Sequence, residues 1–271
     1  MIYKIRKCLN KHPQIHQFLY DIYKYTILPF RNGHFYYNVY YLTNTKHKEI
    51  DKLKTYGFTE IQPYKKRDWR IGREKDGAFR RYYLGKYNGA IAFIKIGKND
   101  LTVKNELHVM QKYYSILDGI APKYILGDLF FDDNTVMLAV DFIIGLTNFS
   151  IPNDLIDFDN VCKQFYLILK KLHSANIIHA DVHKANLMYC GNRLFLLDFG
   201  ISYSTSMNNE VDYNARPGTY YIQEGNKRTY DDAFSFVKMV ESNNCSFDPN
   251  KSEFYRLIKE QIGKRTFSVI I

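Results

Sequence analysis

The residues that decide the fold are HADVHKAN at positions 179–186, followed by LLDFG at positions 196–200. These two short stretches contain two carboxylates and one amide, on Asp181, Asp198 and Asn186. Mg²⁺ prefers oxygen ligands and keeps several of its waters, so Asp198 and Asn186 suit it as a pair of protein ligands. In such a site Asp181 would receive the proton of an acceptor hydroxyl. The pattern predicts a metal-assisted site that activates a hydroxyl.

Each of these residues alone would indicate little, because Asp, Asn and His in loops usually form turns. The order of the features is more specific. A helix ends near Leu172-His173, the His-x-Asp-x-x-x-x-Asn motif follows, and a turn at Gly191-Asn192 leads into an apolar strand that ends in Asp-Phe-Gly. This order resembles the protein-kinase-like superfamily.

The resemblance implies a two-lobed α+β fold, with a small N-lobe built on an antiparallel sheet and a mainly helical C-lobe. It also implies ATP and Mg²⁺ as cofactors, because phosphoryl transfer depends on positioning and on neutralising phosphate charge. In this scheme Asp181 is the catalytic base, and Asn186 and Asp198 are the metal ligands.

A nucleotide-binding lobe should then precede these motifs. Residues 90–96, AIAFIKI, form an apolar strand with one embedded lysine, which is costly to bury unless its ammonium group meets anions. Lys95 therefore resembles the kinase lysine that holds the α- and β-phosphates. Its expected partner is Glu106, on a helix that Asp100 caps, since residues 107–209 contain no other glutamate. An exposed surface glutamate is the alternative reading of Glu106.

The strand before Lys95 is predicted to pair with it through a hairpin turn at Asn88-Gly89. Ahead of that strand, Gly72 and Gly77 match the first and third glycines of the kinase glycine-rich loop. Glu74 replaces the middle glycine, which implies a looser cover over ATP. An ordinary hairpin would explain these residues equally well.

Residues 136–145 resemble the strand and hinge that bind adenine in kinases. The resemblance assigns hydrogen bonds with adenine to the backbone of Asp141 and Ile143, and the back wall of the pocket to Val140. An ordinary buried strand remains the alternative.

The C-terminal third continues the resemblance and also departs from it. Residues 216–224 resemble the end of a kinase activation segment, and Asp232 matches the aspartate that anchors the catalytic loop. Ala180 replaces the arginine of regulated protein kinases, so no guanidinium is present there to bind a phosphate on residues 202–206, and activation by loop phosphorylation is not expected. His183 replaces the lysine of Ser/Thr kinases, as in small-molecule, lipopolysaccharide and UbiB-like atypical kinases, and we count it among the catalytic residues.

Composition limits the classes of protein that remain. The 271 residues are enough for two lobes but not for a further large domain, and four scattered cysteines fit neither a metal site nor a disulfide framework. With no membrane-spanning run and no secretory signal in the sequence, we expect a cytoplasmic protein. The net charge of +10 favours a polyanionic partner, and ATP is one. Nucleic acid is not expected, because no recognition module accompanies the charge.

The first thirty residues are basic, aromatic and amphipathic. Such a stretch can lie peripherally on an anionic membrane, here the inner face of the cell membrane, or can pack its apolar side against the rest of the protein. It also resembles the N-terminal helices of enzymes that build bacterial capsule or lipopolysaccharide.

The sequence therefore predicts three regions: a helical extension over residues 1–60, an N-lobe over 61–143 and a short C-lobe over 144–271. The predicted activity is transfer of phosphate from MgATP to a hydroxyl. The expected acceptor is a sugar of a bacterial envelope glycan, and a Ser/Thr side chain of a protein is the alternative.

Overall fold

The computed structural model describes residues 46–64, 79–204 and 220–270. The predicted N-terminal extension before residue 46, Gly72 and Gly77, and most of the activation-segment resemblance lie outside these residues. The helices are α1 Lys46–Thr55, α2 Leu101–Leu117, α3 Leu155–Ser174, α4 Asp232–Glu241 and α5 Glu253–Lys259. The longer strands are β1 Thr59–Tyr64, β2 Phe79–Tyr87, β3 Ala90–Lys98, β4 Tyr124–Leu129 and β5 Thr135–Asp141. The shorter strands are β6 Thr147–Asn148, β7 Ile177–Ile178, β8 Leu187–Cys190, β9 Arg193–Leu196, β10 Tyr203–Ser204, β11 Ile222–Glu224, β12 Lys227–Tyr230 and β13 Phe267–Ile270.

The first five strands form one antiparallel sheet in the order β1-β2-β3-β5-β4. The predicted hairpin is confirmed, since β2 and β3 pair along their whole length and Asn88 and Gly89 both have positive φ in the turn. Lys95 lies opposite Tyr82 on β2 and opposite Leu138 on β5. This central position holds the lysine backbone from both sides. The antiparallel sheet and mixed α+β architecture agree with the predicted fold class.

Helix α1 packs against the face of the sheet that points away from α2. Leu53 on α1 and Phe58 after it are buried in a cluster with sheet residues that include Ile94 and Ile96. The predicted boundary at residue 60 falls inside β1, and α1 belongs to the packing of the N-lobe.

Two arginines of β2 lie inside the protein. On the α1 side, Arg81 is fully buried and forms an ion pair with Glu49, which also accepts a hydrogen bond from Tyr83. On the face of the sheet that carries α2, Arg80 forms a bidentate ion pair with Asp100, and each of its two hydrogen bonds is 2.7 Å long. These two arginines therefore pair with carboxylates inside the protein.

Helix α2 lies on the opposite face of the sheet. Its N-cap is Asp100, as predicted, and the Asp100 side chain accepts hydrogen bonds from the backbone of Thr102 and Val103. The helix approaches the sheet closely at Gly97, where an added Cβ would lie 2.7 Å from Cβ of Val103. It runs to Leu117, and its later residues Tyr113 and Leu117 are buried in the large apolar cluster that also contains C-lobe residues.

The C-lobe is built on three helices and several short strands. Helix α3 packs against α4 and α5, and the rings of Phe165 and Phe236 stack with centroids 4.1 Å apart. Strands β8 and β9 form the predicted hairpin around Gly191-Asn192. One buried apolar cluster includes residues of α2, β5 and all three C-lobe helices, and it therefore joins the two lobes.

The chain after Val240 contains a strand that the sequence analysis did not predict. Strand β13 adds to the β11–β12 hairpin to form a three-stranded sheet. Phe267 of β13 stacks on Tyr203, with ring centroids 3.8 Å apart. In the described part of the chain, no helix is both long and apolar enough to cross a lipid bilayer.

Candidate active site

The site begins with a buried ion pair between the sheet and helix α2. Lys95 on β3 and Glu106 on α2 are both largely buried, and the Lys95 ammonium donates to the Glu106 carboxylate. Lys95 Nζ also lies 3.7 Å from Oδ1 of Asp198. Burial alone would lower the pKa of Lys95, but the carboxylates of Asp198 and Glu106 outweigh that effect and raise it. Lys95 is therefore a permanent cation.

The loop between β7 and β8 presents Asp181. The amide nitrogen of Asn186 donates to Oδ2 of Asp181 at 3.1 Å and to its backbone carbonyl at 3.0 Å. The imidazole Nε2 of His183 lies 3.5 Å from Oδ1 of the same carboxylate. Because Nδ1 of His183 accepts from the N–H of Ala185, the proton of a neutral imidazole would be on Nε2, facing Asp181. Both oxygens of Asp181 are thus oriented by neighbouring donors.

A second carboxylate holds the backbone of this loop. Asp232, at the start of α4, accepts hydrogen bonds from the N–H of His179 at 2.7 Å and of Ala180 at 2.9 Å. Ala180 has a φ of 65°, which an L-residue adopts only under such constraint. Asp232 therefore anchors the loop as the resemblance implied.

His179 links the loop to the turn that carries Asp198. Its Nδ1 accepts from the N–H of Asp181, so Nε2 is the donor to the carbonyl of Leu197, at 3.0 Å. The imidazole also contacts the ring of Phe199 edge to face at 4.7 Å. Burial lowers the pKa of His179 to about 4, and the ring stays neutral near neutral pH.

This buried neutral histidine predicts a loss of stability in acid. In the unfolded chain this histidine binds a proton near pH 6.5, whereas in the folded protein it does so only near pH 4. The contribution of His179 to the free energy of unfolding is therefore complete above pH 6.5. It falls as the pH drops towards 4, by up to about 3 kcal/mol. Burial also lowers the pKa of His173 and His108. The informative measurement is therefore the difference in pH slope of the unfolding free energy between wild type and His179→Asn. Equal slopes from pH 7.5 to 5 would contradict the assignment.

The turn after β9 places the side chain of Asp198 next to Lys95. Asp198 adopts a left-handed conformation, φ 63° and ψ 72°, and its side chain is 41% exposed. The next residue, Phe199, is buried in the core. Gly200 then lies against α2, where an added Cβ would be 3.1 Å from the backbone oxygen and Cβ of Thr102. The close packing around Phe199 and Gly200 fixes the direction of the Asp198 carboxylate.

Asp198 and Asn186 suit a hard divalent cation. Because the amide nitrogen of Asn186 is engaged by Asp181, its oxygen is the atom left to act as a ligand. No cluster of three or more His, Cys, Asp or Glu that could hold a metal occurs among the described residues. Mg²⁺ is commonly bound through one or two protein oxygens together with substrate phosphates, which matches this sparse donor set.

The candidate hinge lies at the end of β5. Val140 pairs with Phe93 on β3. Phe93 lies two residues before Lys95, so the side chains of Phe93 and Lys95 are on the same face of the strand. The N–H of Asp141 donates to the carbonyl of Lys123, so Asp141 could offer a ligand only its carbonyl oxygen. Ile143 lies two residues further on, after β5 has ended. Val140 is therefore the hinge residue that the strand pairing places nearest to Lys95.

Aromatic rings that the sequence analysis did not anticipate surround this region. Phe93 stacks with Tyr82 at 5.5 Å, and Tyr64 meets both Phe93 and Phe142 edge to face. The alternation of residues along β2 and β3 could have placed Phe93 and Tyr82 on the face that carries Lys95. The pairing of Arg80 with Asp100 was also missed, because no sequence signal joins these two positions.

Two serine hydroxyls shortly after Asp198 are inaccessible. Ser202 and Ser204 are fully buried, and Ser202 donates to the carbonyl of His179 at 3.3 Å. A kinase could not reach either hydroxyl without unfolding this segment. Their burial agrees with the absence of an arginine at Ala180.

Comparison with known proteins found partial sequence similarity to protein kinases. No family model matches the chain. Serine/threonine-protein kinase 10 of Danio rerio is 30% identical over 146 residues, which cover 49% of this chain and 14% of that protein. The probable serine/threonine-protein kinase fhkB of Dictyostelium discoideum is 31% identical over 135 residues, 44% of this chain and 11% of that protein.

Two further matches are more limited. A probable bifunctional tRNA threonylcarbamoyladenosine biosynthesis protein of Methanosarcina barkeri is 50% identical over 36 residues, 13% of this chain and 7% of that protein. A crystal structure of a kinase domain is 17% identical and covers 54% of this chain and 53% of that chain, with a TM-score of 0.40. The chain thus spans only a small part of the curated relatives it matches.

The partial matches to Ser/Thr kinases agree with the resemblance to the protein-kinase-like superfamily that the sequence motifs indicated.

Proposed function

We propose that the protein transfers the γ-phosphoryl group of ATP to a hydroxyl acceptor. The observation that carries this proposal is the convergence of Lys95 and Asp198, 3.7 Å apart, with an Asp181 carboxylate oriented by Asn186. A permanent cation, a metal-binding carboxylate and a proton acceptor are the groups that phosphoryl transfer needs.

Each residue has a separate role in this proposal. Lys95, held by Glu106, binds the α- and β-phosphates. Asp198 and Asn186 hold Mg²⁺, which when bound neutralises phosphate charge. Asp181 accepts the proton of the acceptor hydroxyl as the new O–P bond forms and the bond to the β-phosphate oxygen breaks.

Three further groups complete the site. His183 donates from Nε2 towards Asp181 and keeps its carboxylate turned to the acceptor. The backbone of Asp141 and Ile143 binds adenine next to Val140. Gly72 and Gly77 are proposed to cover the phosphates, and they lie outside the described residues.

The acceptor that we favour is a sugar hydroxyl of a bacterial envelope glycan. Support comes from His183, which stands where Ser/Thr kinases have a lysine, as in small-molecule and lipopolysaccharide kinases. The identity with two Ser/Thr protein kinases favours a protein hydroxyl as the second candidate.

The two acceptors can be separated by one experiment. The full chain is incubated with MgATP and either a glycan extract or a peptide library, and products are analysed by mass spectrometry for an added phosphate. Asp198→Ala serves as the inactive control. Phosphate on peptides alone would establish the second candidate, and phosphate on neither, with no hydrolysis of ATP, would contradict the proposed function.

Peripheral contact with an anionic membrane is a separate proposal for residues 1–30, which lie outside the described residues. The basic and apolar residues there would contribute together, at about 1 kcal/mol for each basic side chain near the surface. Sedimentation with anionic vesicles should therefore weaken as salt is raised. Failure to sediment at low salt would exclude this role and would leave a cytoplasmic protein without membrane contact.

A further inference from the structure

Asn105 is a buried polar residue that the proposed reaction does not use. It directly precedes Glu106 on α2 and is 5% exposed. Neighbouring residues on a helix point about 100° apart, so the two side chains reach different parts of the site. Glu106 reaches Lys95 on the sheet, and Asn105 reaches the turn that follows Asp198.

The Asn105 amide is surrounded by backbone carbonyls of that turn. Its Nδ2 lies 2.9 Å from the oxygen of Ser202, 3.2 Å from that of Gly200 and 3.5 Å from that of Phe199. The oxygen of Phe199 also accepts from the N–H of Ser202 at 3.1 Å, so the Asn105 amide matters most as a donor to the carbonyls of Gly200 and Ser202, since an unmade hydrogen bond in the interior costs free energy. An amide donates two hydrogens, whereas an apolar side chain of the same size donates none.

The same helix holds the segment beyond the turn at a second point. The hydroxyl of Tyr113 lies 2.7 Å from that of Ser204, and both residues are buried. At the start of the helix, Thr102 packs against Gly200. Residues 199–204 are therefore fastened along α2, with Asn105 making the contacts nearest to Asp198.

We propose that Asn105 is a positioning residue that holds the Asp198 carboxylate in the orientation that binds the divalent cation. Phosphorylation of the loop is then not needed to place this carboxylate. This inference rests on the proposed function. It follows from three observations. Asn105 holds the carbonyls immediately after Asp198, the hydroxyls of Ser202 and Ser204 are buried, and Ala180 cannot bind a loop phosphate. Helix α2 thus places the phosphate-binding lysine through Glu106 and the metal-binding carboxylate through Asn105.

The first test needs neither nucleotide nor metal. Hydrogen–deuterium exchange of the full chain is compared for wild type and Asn105→Leu, which keeps the size of the side chain and removes both donors. Exchange should rise in residues 199–204 and stay unchanged in β3 and β5. Tyr113→Phe is the matched control on the same helix, and its effect should be confined to the neighbourhood of Ser204.

The second test separates positioning from general packing. ATP binding is measured with and without Mg²⁺. Asn105→Leu should raise the Mg²⁺ concentration needed for half-saturation by about tenfold or more, because mutating a residue that supports a metal ligand weakens metal binding by about that factor. The affinity for ATP without metal should stay within about twofold of the wild-type value. Glu106→Gln should give the opposite pattern, with weaker metal-free binding.

The outcomes decide between the inference and the proposed function. Unchanged exchange at 199–204 in a folded Asn105→Leu variant, or raised exchange with unchanged Mg²⁺ dependence, would overturn the role of Asn105. If wild type binds no ATP under any condition, the proposed function fails, and with it the claim about the cation. If Asn105→Leu does not fold, Asn105→Asp takes its place, because it keeps the shape of the side chain but places an oxygen against the three carbonyls. If neither variant folds, Asn105 is needed for folding and the proposed positioning role is overturned.

Discussion

Replacing Asp198 by alanine should abolish turnover, and Asp181→Asn should lower it by about 10²–10⁴-fold while ATP binding persists. Of these two carboxylates, Asp198 is the one that lies near Lys95, with its Oδ1 at 3.7 Å from Nζ of the lysine. Its replacement removes the carboxylate that is proposed to bind the metal. Asp181→Asn keeps the size of the side chain but removes the proton acceptor. Single-turnover phosphate transfer and ATP binding by fluorescence separate the two effects.

A control for fold is needed because both residues are part of a connected loop. Asn186 donates to Asp181, and an asparagine at 181 can still accept that bond through its oxygen. Asp181→Asn should therefore melt close to wild type. Turnover that persists in both variants would remove the basis for phosphoryl transfer at this site.

Lys95→Met should lower ATP affinity or turnover by roughly 10²-fold, since it removes a permanent cation from a largely buried site. It should also destabilise the protein, because breaking a buried ion pair by removing one partner costs about 3–5 kcal/mol. Glu106→Gln should reproduce the nucleotide defect in part, since Lys95 keeps Asp198 as a neighbour.

The double variant Lys95→Met/Glu106→Gln gives the sharper stability test. It removes both charges, so its unfolding free energy should recover relative to Lys95→Met alone, while ATP binding stays weak. Additive losses of stability in chemical denaturation would show that the two side chains do not depend on each other.

The sequence predicted the elements whose signals are local. The Asn88-Gly89 turn, the cap at Asp100 and the hairpin at Gly191-Asn192 each depend on a few adjacent residues, and the structure confirms all three. The lysine strand was also predictable, because a charged residue within an apolar run is rare.

The features that were missed depend on contacts between distant parts of the chain. Asn105 meets carbonyls almost a hundred residues later, and a polar residue on a helix gives no sign of such a partner. Arg81 pairs with Glu49, 32 residues earlier on α1, and no local sequence pattern predicts that partner. The proposed roles of Lys95, Glu106, Asp181, Asn186 and Asp198 stay predictions, although the structure brings these side chains together.

Strand β13 has a consequence for the order in which the protein assembles. Its Phe267 and Val269 pack with Ile178, Ala180 and Ile201, which lie on either side of Asp181 and Asp198 in the chain. During synthesis these residues leave the ribosome long before Phe267 does. The loop that carries Asp181 therefore lacks part of its apolar support until residue 270 has emerged, and the nascent chain should acquire its final packing there only at that late stage.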